Sequence, residues 1–426
     1  MPVKGMRDFP PKDMILRQKV FDIVKNIFER YGFEPFETPA IELAKTFRKK
    51  IGAEEKLIYE FEDRGGRKIS LRYDQTVPLV RYIVENPEIQ KPFKRYVIGK
   101  VWRAEEVRRG RYREFYQCDI DVIGAKSILA DAEVISCSLE VLDNLNLKDN
   151  YIRLNNRKVL AAIIKYAGVK ENKIIQVIRT IDKLDKIGKE GVKEELKKLK
   201  IKSNEIKRII EIISLSGKPN EVILKAKKLI GKIKEGVEGL EELQELISFL
   251  KEFEIKNYVI DLSLARGLDY YTGNIFEIMG KDKKIGSLGG GGRYNGLISK
   301  LSDKKIDLPS VGISLGIERI IEIIKEQNLI QTPTTVVEVY LLSINKKMIP
   351  KAIKIANNLR ESGFKCEIDL MDRGISKQLE YASSKGIPKV IIVGPKDLAK
   401  RKVTIKDMKT GKEEKVNVYD ILKVLQ

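Results

Sequence analysis

The segment LARGLDYYTGNIFEI, residues 264–278, concentrates groups that carry charge and form hydrogen bonds. Arg266, Asp269, Tyr270 and Tyr271 fall on a predicted tight turn, and an apolar, β-prone run follows them. Polar side chains that are buried need hydrogen-bond partners. The composition of this turn therefore raises the question of what these groups bind.

The chain contains no histidine, which restricts its chemistry. No step can use a protein imidazole as base, nucleophile or metal ligand, so Ser-His-Asp triads, Cys-His dyads and His-ligated zinc are excluded. Cys118, Cys137 and Cys366 have no paired spacing. Neither a disulfide framework nor a thiolate zinc site is indicated, and we expect the three cysteines to be free and to act as small hydrophobes.

Two strands are predicted on either side of a basic loop in residues 96–124, YVIGKVWRAEEVRRGRYREFYQCDIDVIG. Alternation along residues 112–123 gives the second strand one apolar face and one mostly polar face. The polar face carries Arg113, Phe115, Gln117, Asp119 and Asp121. A pocket above the sheet would produce this pattern, and so would an edge strand with one solvated face.

The loop itself crowds arginines around Glu105 and Glu106: Arg103, Arg108, Arg109, Arg111 and Arg113. A guanidinium group stays charged and matches the oxygens of a phosphate in a forked geometry. The cluster therefore suits a triphosphate or the end of an RNA.

The segment GSLGGGGRYNGLI, residues 286–298, contains four consecutive glycines. Glycine lets a backbone adopt positive φ and approach a ligand closely. The segment lacks the Lys-Ser/Thr of a P-loop and the spacing of a dinucleotide fold. Two interpretations stay open: a flexible hairpin turn and a ligand-binding segment.

In VGISLGIERII, residues 311–321, a short strand is predicted to turn at Gly316 into a helix. Arg319 then lies in the first helical turn, where a cation is unfavourable unless an anion is near. An anion site is one interpretation, and pairing with Glu318 or Glu322 is the other.

The segment SLRYDQTVPLVRY, residues 70–82, places Asp74 and Thr76 two apart, and hence on one face if the chain is extended. A carboxylate, a hydroxyl and the amide of Gln117 could together hold an ammonium group. Each of these residue types is also common in turns and caps.

The formal charge of +21 favours a polyanionic partner such as nucleic acid, although a surface rich in Lys and Glu, of the kind found in thermophiles, is the alternative. No apolar run approaches the roughly 18 residues of a membrane helix, and the start of the chain lacks the apolar core of a secretory signal. We expect a cytoplasmic protein with no membrane partner.

The 426 residues are enough for several domains. Strand-like and helical patterns over residues 1–156 and 253–328 predict one α+β domain, interrupted at residues 157–252 by a helical insertion with dense charge. Strands and helices then alternate, so residues 333–426 predict a separate α/β domain with a largely parallel sheet.

The motifs occur in an order that resembles the class II aminoacyl-tRNA synthetases, and among them the histidyl-tRNA synthetase family. The resemblance covers nearly the whole chain. It is carried by KGMRDFPPKD, FETPAIE, LRYDQTVPLVRY, WRAEEVRRGRYREFYQCDID, ARGLDYYTG, GGGGRYNGL, GISLGIERI and DLMDRGISKQLEYASSKGIPKVIIVG. It implies an antiparallel-sheet catalytic core, an anticodon-binding C-terminal domain, and a homodimer joined partly around Pro39. It also implies L-histidine, ATP and tRNA(His) as substrates, with Mg²⁺.

The resemblance also implies roles for individual residues. Arg103 would hold the α-phosphate, Glu105 would orient the adenine or the loop, and Arg111 and Arg319 would grip the γ-phosphate. Arg266 would lie between the substrate carboxylate and the α-phosphate. The histidine-binding residues would be Asp74, Thr76 and Gln117 for the ammonium group, Asp121 and Tyr271 for the imidazole nitrogens, and Tyr270 and Tyr294 for the pocket wall.

Three alternatives stay open at this stage. One is a catalytically silent relative that partners an ATP phosphoribosyltransferase; such proteins lack the C-terminal domain. Another is a class II synthetase for proline, threonine or glycine, which the RGLDYYT motif disfavours. The third is an RNA-binding module without enzymatic activity.

Overall fold

The structure is a computed structural model that describes residues 1–48, 52–266, 270–281, 286–301 and 308–425. It divides into two compact units. The first comprises Met1–Arg7 and Val20–Ile330, and the second comprises Asp8–Lys19 and Gln331–Gln426. No helix in the described ranges is both long and apolar enough to cross a membrane.

Within the described residues, eight strands of the first unit form one sheet in the order β1-β5-β6-β11-β10-β9-β7-β8. Most neighbours are antiparallel, whereas β1 with β5 and β7 with β8 are parallel pairs. The strands are β1 (Glu34–Pro35), β5 (Phe93–Trp102), β6 (Glu114–Ile123), β7 (Asn150–Asn156), β8 (Tyr258–Ile260), β9 (Asn274–Gly280), β10 (Ser287–Arg293) and β11 (Ser310–Leu315).

Within the described residues, three further strands form a small antiparallel sheet in the order β2-β4-β3. Its strands are β2 (Ile41–Leu43), β3 (Glu60–Glu62) and β4 (Lys68–Leu71). Leu43 and Phe61 pair with Ile69 from either side, so three apolar side chains form a row across the sheet. Leu43 and Phe61 are each 44% exposed, so the row lies at the surface.

Helices flank the large sheet. They are α1 (Pro11–Arg30), α2 (Thr76–Glu85), α3 (Leu129–Asn144), α10 (Asn295–Leu301) and α11 (Ile317–Gln327). The interval predicted as a helical insertion consists of helices joined by short connections: α4 (Arg157–Ala167), α5 (Ile174–Ile181), α6 (Leu184–Lys198), α7 (Ser203–Ile213), α8 (Pro219–Ile230) and α9 (Lys234–Glu252). Isoleucine, leucine and valine at helical spacing are buried there, and lysine and glutamate face solvent.

In the C-terminal unit, five strands of the described part form a sheet in the order β13-β12-β14-β15-β16. The strands are β12 (Val339–Ser343), β13 (Cys366–Ile368), β14 (Lys389–Val393), β15 (Lys402–Asp407) and β16 (Glu413–Asn417), and the helices are α12 (Ile349–Glu361), α13 (Ile375–Lys385), α14 (Pro395–Leu398) and α15 (Ile421–Leu425).

The first three strands of this sheet in chain order are parallel, as the alternation with helices predicts, but β15 and β16 are antiparallel. The expectation of a largely parallel sheet is therefore wrong for the last two strands. A tight turn at residues 408–412 joins them, and Asp407 accepts hydrogen bonds from the backbone of Lys409 and Thr410 within it.

Candidate active site

A cavity of about 550 Å³ opens against β6, β10 and β11 of the large sheet. Every residue proposed from the sequence as a site residue lines this cavity: Asp74, Thr76, Arg103, Glu105, Arg111, Gln117, Asp121, Arg266, Tyr270, Tyr271, Tyr294 and Arg319. The structure therefore brings these residues together, although their individual roles stay predictions. Residues 267–269 of the opening motif, including Asp269, lie outside the described residues.

Asp74 stands at the start of α2, and Thr76 is the first residue of that helix. Asp74 and Thr76 therefore do not lie on an extended segment, contrary to the expectation from their spacing. One Asp74 oxygen, Oδ1, accepts a hydrogen bond of 2.9 Å from the backbone of Val77, which satisfies a donor at the helix start. The other oxygen, Oδ2, is buried and has no hydrogen-bond partner among the described residues. Asp74 is thus both a cap and a cavity-lining carboxylate.

The polar face of β6 lines the cavity through Gln117, Asp119 and Asp121. This strand lies between β5 and β11, so the edge-strand alternative is wrong. Asp121 forms an ion pair of 2.6 Å with the buried Arg95 and accepts a hydrogen bond from the Tyr294 hydroxyl. Burial raises the pKa of Asp121, and both of these partners oppose that shift.

Asp119 lines the cavity, but sequence reasoning gave it no role. The sequence feature that could have identified Asp119 is its two-residue spacing, which places it on the same face of β6 as Gln117 and Asp121. Burial raises its pKa to about 7, while Arg95 and a hydrogen bond from Ser314 act in the opposite direction. Ser314 also accepts a hydrogen bond of 2.8 Å from Nε2 of Gln117.

The three tyrosines form one aromatic wall. The Tyr270 ring centroid lies 5.0 Å from that of Tyr271 and 5.9 Å from that of Tyr294. Burial raises the pKa of each phenol, so all three keep their protons near neutral pH and can donate hydrogen bonds.

Arg266 has a backbone φ of 58°, in the left-handed region that non-glycine residues seldom adopt. Its guanidinium group donates a hydrogen bond of 3.0 Å to Glu277 of β9. Its Nε is buried without a hydrogen-bond partner in the described ranges. Strained backbone of this kind is common at functional sites, where the surrounding structure holds it in place.

The four consecutive glycines lie in β10, inside the sheet, and not in a hairpin turn. A Cβ atom on Gly290 would lie 2.3 Å from Cζ of Arg266, and one on Gly291 would lie 2.0 Å from the backbone oxygen of Gly312. Glycine is therefore required at position 291, where backbone occupies the space of a side chain, and a side chain at position 290 would force Arg266 to move.

The basic end of the cavity contains Arg103, Arg111 and Arg319. The Arg103 guanidinium group lies 4.3 Å from the Tyr73 ring centroid, and Arg111 pairs with Glu105 at 3.1 Å. Arg319 occupies the first turn of α11, as predicted. Burial, and then the charge of Arg111, lowers its pKa. Two guanidinium groups that repel each other at a helix N-terminus form an environment that favours an anion.

Glu318 and Glu322, the alternative partners of Arg319, bind other side chains, although the charge of Glu322 also acts on Arg319 and raises its pKa. Glu318 forms an ion pair of 2.6 Å with Arg7, and Glu322 accepts a hydrogen bond from Tyr112. Arg319 itself donates to the backbone oxygen of Ser287.

The helical insertion contributes to the cavity, which sequence reasoning missed. Asp182 and Asp185 line it beside Arg153. Arg153 pairs with Asp185 at 2.6 Å, with Asp261 at 2.7 Å and with Glu277 at 3.3 Å. Glu277 in turn holds Arg266, so a continuous chain of charges joins the insertion to the arginine. No sequence signal pairs residues that are so distant along the chain.

Comparison with known proteins identifies the family. The model of the histidyl-tRNA synthetase family matches residues 5–320, and the model of an anticodon-binding domain matches residues 338–426. The chain belongs to the histidyl-tRNA synthetase family. The resemblance of the motifs is thereby confirmed.

Two relatives in this family match over nearly their whole lengths. The histidine–tRNA ligase of Aeropyrum pernix is 40% identical over 429 residues, covering 100% of this chain and 97% of that protein. The enzyme of the same name from Pyrococcus furiosus is 40% identical over 428 residues, with coverage of 100% and 98%.

Solved structures of histidyl-tRNA synthetases are similar to this chain in fold. Histidyl-tRNA synthetase from Nostoc superposes with a TM-score of 0.85 at 30% identity, covering 100% of this chain and 98% of that one. The apo enzyme from S. aureus, at 24% identity and a TM-score of 0.74, has the same fold. The expected fold class is confirmed: an α+β catalytic core with an antiparallel sheet and helical insertion, followed by an α/β anticodon-binding domain.

Proposed function

We propose that the chain is a histidine–tRNA ligase, which activates L-histidine with ATP and transfers it to the 3′ end of tRNA(His). The observation that carries this proposal is the polarity of the cavity. Carboxylate and amide groups, which are those of Asp74, Gln117, Asp119 and Asp121, line it together with the guanidinium groups of Arg103, Arg111, Arg266 and Arg319. An amino acid and a triphosphate have the complementary charges. Membership of the histidyl-tRNA synthetase family supports the same reaction.

In the first step, the carboxylate of histidine attacks the α-phosphorus of ATP and pyrophosphate leaves. Arg266 bridges the carboxylate and the α-phosphate, and Arg103 holds the α-phosphate from the other side. Both reactants are anions, so fixed guanidinium charge lowers the barrier without any proton transfer from the protein. The absence of histidine side chains is compatible with this chemistry.

Arg111 and Arg319 hold the γ-phosphate, and Glu105 orients Arg111 or the adenine. Mg²⁺, when bound, neutralises charge on the phosphates. This ion commonly uses substrate phosphates and one or two carboxylates, and Glu105 fits that role.

Asp74, Thr76 and Gln117 bind the ammonium group. Asp121 and Tyr271 each pair with one imidazole nitrogen, and Tyr270 and Tyr294 complete the wall. A site that pairs both nitrogens rejects side chains that would leave its own buried groups unpaired.

We also propose a cytoplasmic homodimer. The exposed side chains of Leu43 and Phe61, which flank the partly buried Ile69, together with Ile41, which is 47% exposed, support an interface close to Pro39. The basic charge of the chain and its C-terminal anticodon-binding domain support tRNA as the polyanionic partner.

The test is ATP–pyrophosphate exchange with each of the twenty amino acids, with and without tRNA. We expect exchange with histidine alone. Exchange with another amino acid would contradict the pocket roles. No exchange with any amino acid would favour a silent regulatory relative, against which the C-terminal domain and the presence of Arg103, Arg111, Arg266 and Arg319 in the cavity already argue.

A further inference from the structure

Four buried acceptor oxygens that line the cavity form no hydrogen bond among the described residues: Oδ2 of Asp74, Oε1 of Gln117, Oδ1 of Asp119 and Oδ2 of Asp121. The last of these forms an ion pair of 2.6 Å with Arg95, which leaves the first three for a ligand. All three side chains line the cavity, and each is at least nine-tenths buried. A buried polar atom without a partner costs about 1–3 kcal/mol. Three of them around one cavity indicate a ligand that supplies donors.

An ammonium group matches this set. It carries three N–H donors, no acceptor and one positive charge. Two of the three acceptors belong to carboxylates, and the third belongs to an amide. A neutral donor such as a hydroxyl would satisfy one oxygen and leave the charge of the aspartates uncompensated.

We propose that Asp119 contacts the substrate: its carboxylate accepts a hydrogen bond from the α-ammonium group of histidine, beside Asp74 and Gln117. This inference rests on the proposed function and adds a third acceptor to the ammonium site. It makes Asp119 a determinant of specificity for a free amino group.

Ser314 fixes the orientation of Gln117. Its hydroxyl accepts a hydrogen bond of 2.8 Å from Nε2 of Gln117, which directs the amide nitrogen toward β11 and leaves the amide oxygen for the ligand. Ser314 is also the register partner of Asp119, so the pairing of β6 with β11 positions Gln117 and Asp119 together.

The charged and titratable groups facing Asp119 come from several elements. Arg95 of β5 lowers its pKa, Asp121 of β6 and Asp74 before α2 raise it, and Tyr271 interacts with it electrostatically. Arg95 is already paired with Asp121. With its pKa at about 7, Asp119 holds a proton at pH 6 and releases it when a cation binds.

The affinity for histidine depends on pH through the protonation state of Asp119. Above pH 7 the carboxylate is already ionised and binds the ammonium group directly. One pH unit below the pKa, a proton must first leave, and binding is weaker by about tenfold. The KM for histidine should therefore fall as pH rises from 6 to 8. This pH dependence should be absent from a variant in which residue 119 cannot titrate.

The first experiment measures the KM for histidine in ATP–pyrophosphate exchange with the wild-type chain and Asp119→Asn, from pH 6 to 8.5. We expect the KM of the variant to be about tenfold higher at pH 8 and close to that of the wild type at pH 6. Titration of the substrate imidazole affects both proteins equally and cancels in the ratio. A ratio near one at every pH would overturn the inference.

The second experiment separates ammonium from imidazole recognition through inhibition constants for two analogues. Histamine keeps the ammonium group and lacks the carboxylate, whereas 3-(imidazol-4-yl)propionate lacks the ammonium group. We expect Asp119→Asn and Asp119→Ala to weaken histamine about tenfold at pH 8 and to leave the propionate analogue unchanged. Equal weakening of both would assign Asp119 to the imidazole or to structure alone and would contradict the proposal.

Asp131→Asn is the matched control. Asp131 is buried and has a raised pKa of about 6, but it pairs with Arg293 and does not line the cavity. We expect it to preserve both inhibition constants and the pH profile of the KM. KM and inhibition constants do not depend on the fraction of active enzyme, so partial unfolding of a variant cannot imitate the result. A wild-type chain without histidine-dependent exchange would instead refute the proposed function itself.

Discussion

Gly290 lies against the guanidinium group of Arg266. A Cβ atom at position 290 would come within 2.3 Å of Cζ and of one terminal nitrogen of that arginine. The glycine belongs to a central strand of the sheet, where backbone flexibility offers no advantage. Its function is to leave room for the arginine above the strand.

Gly290→Ala should displace Arg266 and slow histidine-dependent exchange by about 100-fold, because a displacement of about 1 Å can cost that much in positioning. Exchange rates and thermal unfolding should be measured together. Gly296→Ala is the control, because its added methyl group would meet only a Thr272 side-chain carbon at 3.6 Å. Wild-type exchange by Gly290→Ala would show that the position of Arg266 is not critical.

Tyr294→Phe removes the hydroxyl that donates to Asp121 while keeping the ring of the aromatic wall. Losing a hydrogen bond to a buried carboxylate costs about 1–3 kcal/mol, so we expect the KM for histidine to rise about 5- to 100-fold and the KM for ATP to change little. Tyr96→Phe is the matched control, because its hydroxyl binds Glu29 and it does not line the cavity. Equal effects on both KM values would argue against a role in histidine binding.

Arg153→Met leaves Asp261 and Glu277 without their shared cation, and the arginine is only 9% exposed. Both carboxylates are partly buried, and Glu277 keeps its ion pair with Arg266, so we expect the free energy of unfolding to fall by about 1–3 kcal/mol. Asp185→Asn removes an exposed partner of the same arginine and should cost less than about 1 kcal/mol. Chemical denaturation of both variants provides the comparison, and similar losses would show that Arg153 acts only at the surface.

Leu43→Glu combined with Phe61→Glu places charge on the exposed apolar row and should dissociate the proposed dimer. Sedimentation of the wild-type chain and the variant measures the change. Leu224→Glu, at a 57% exposed position of α8, should leave the assembly intact. A monomeric wild-type chain would refute the interface outright.

Most of the site can be predicted from the sequence because local secondary structure sets the positions of its residues. The two-residue spacing of Gln117, Asp119 and Asp121 was enough to place them on one face of β6. Arg319 was likewise located by the turn at Gly316 into α11. Both patterns depend only on neighbours along the chain.

Features set by tertiary contacts could not be predicted. The glycine run resembles a turn, and only the position of Arg266 above Gly290 explains it as a strand. The link from Asp185 through Arg153 to Glu277 joins three distant segments, and no spacing rule relates them. Asp74 caps α2 because Val77 supplies a backbone donor, a contact that depends on where the helix begins.

The order of strands in the large sheet has a consequence for synthesis on the ribosome. β6, which carries the acidic face of the cavity, pairs with β11, and Ile123 lies opposite Ser310. At about 5–20 residues per second, the ribosome needs roughly 10–40 s to make the intervening chain. Throughout that time, one edge of β6 lacks its partner strand. The nascent chain should therefore be most vulnerable to aggregation after β6 emerges, and a chaperone that shields this edge should raise the yield of folded protein.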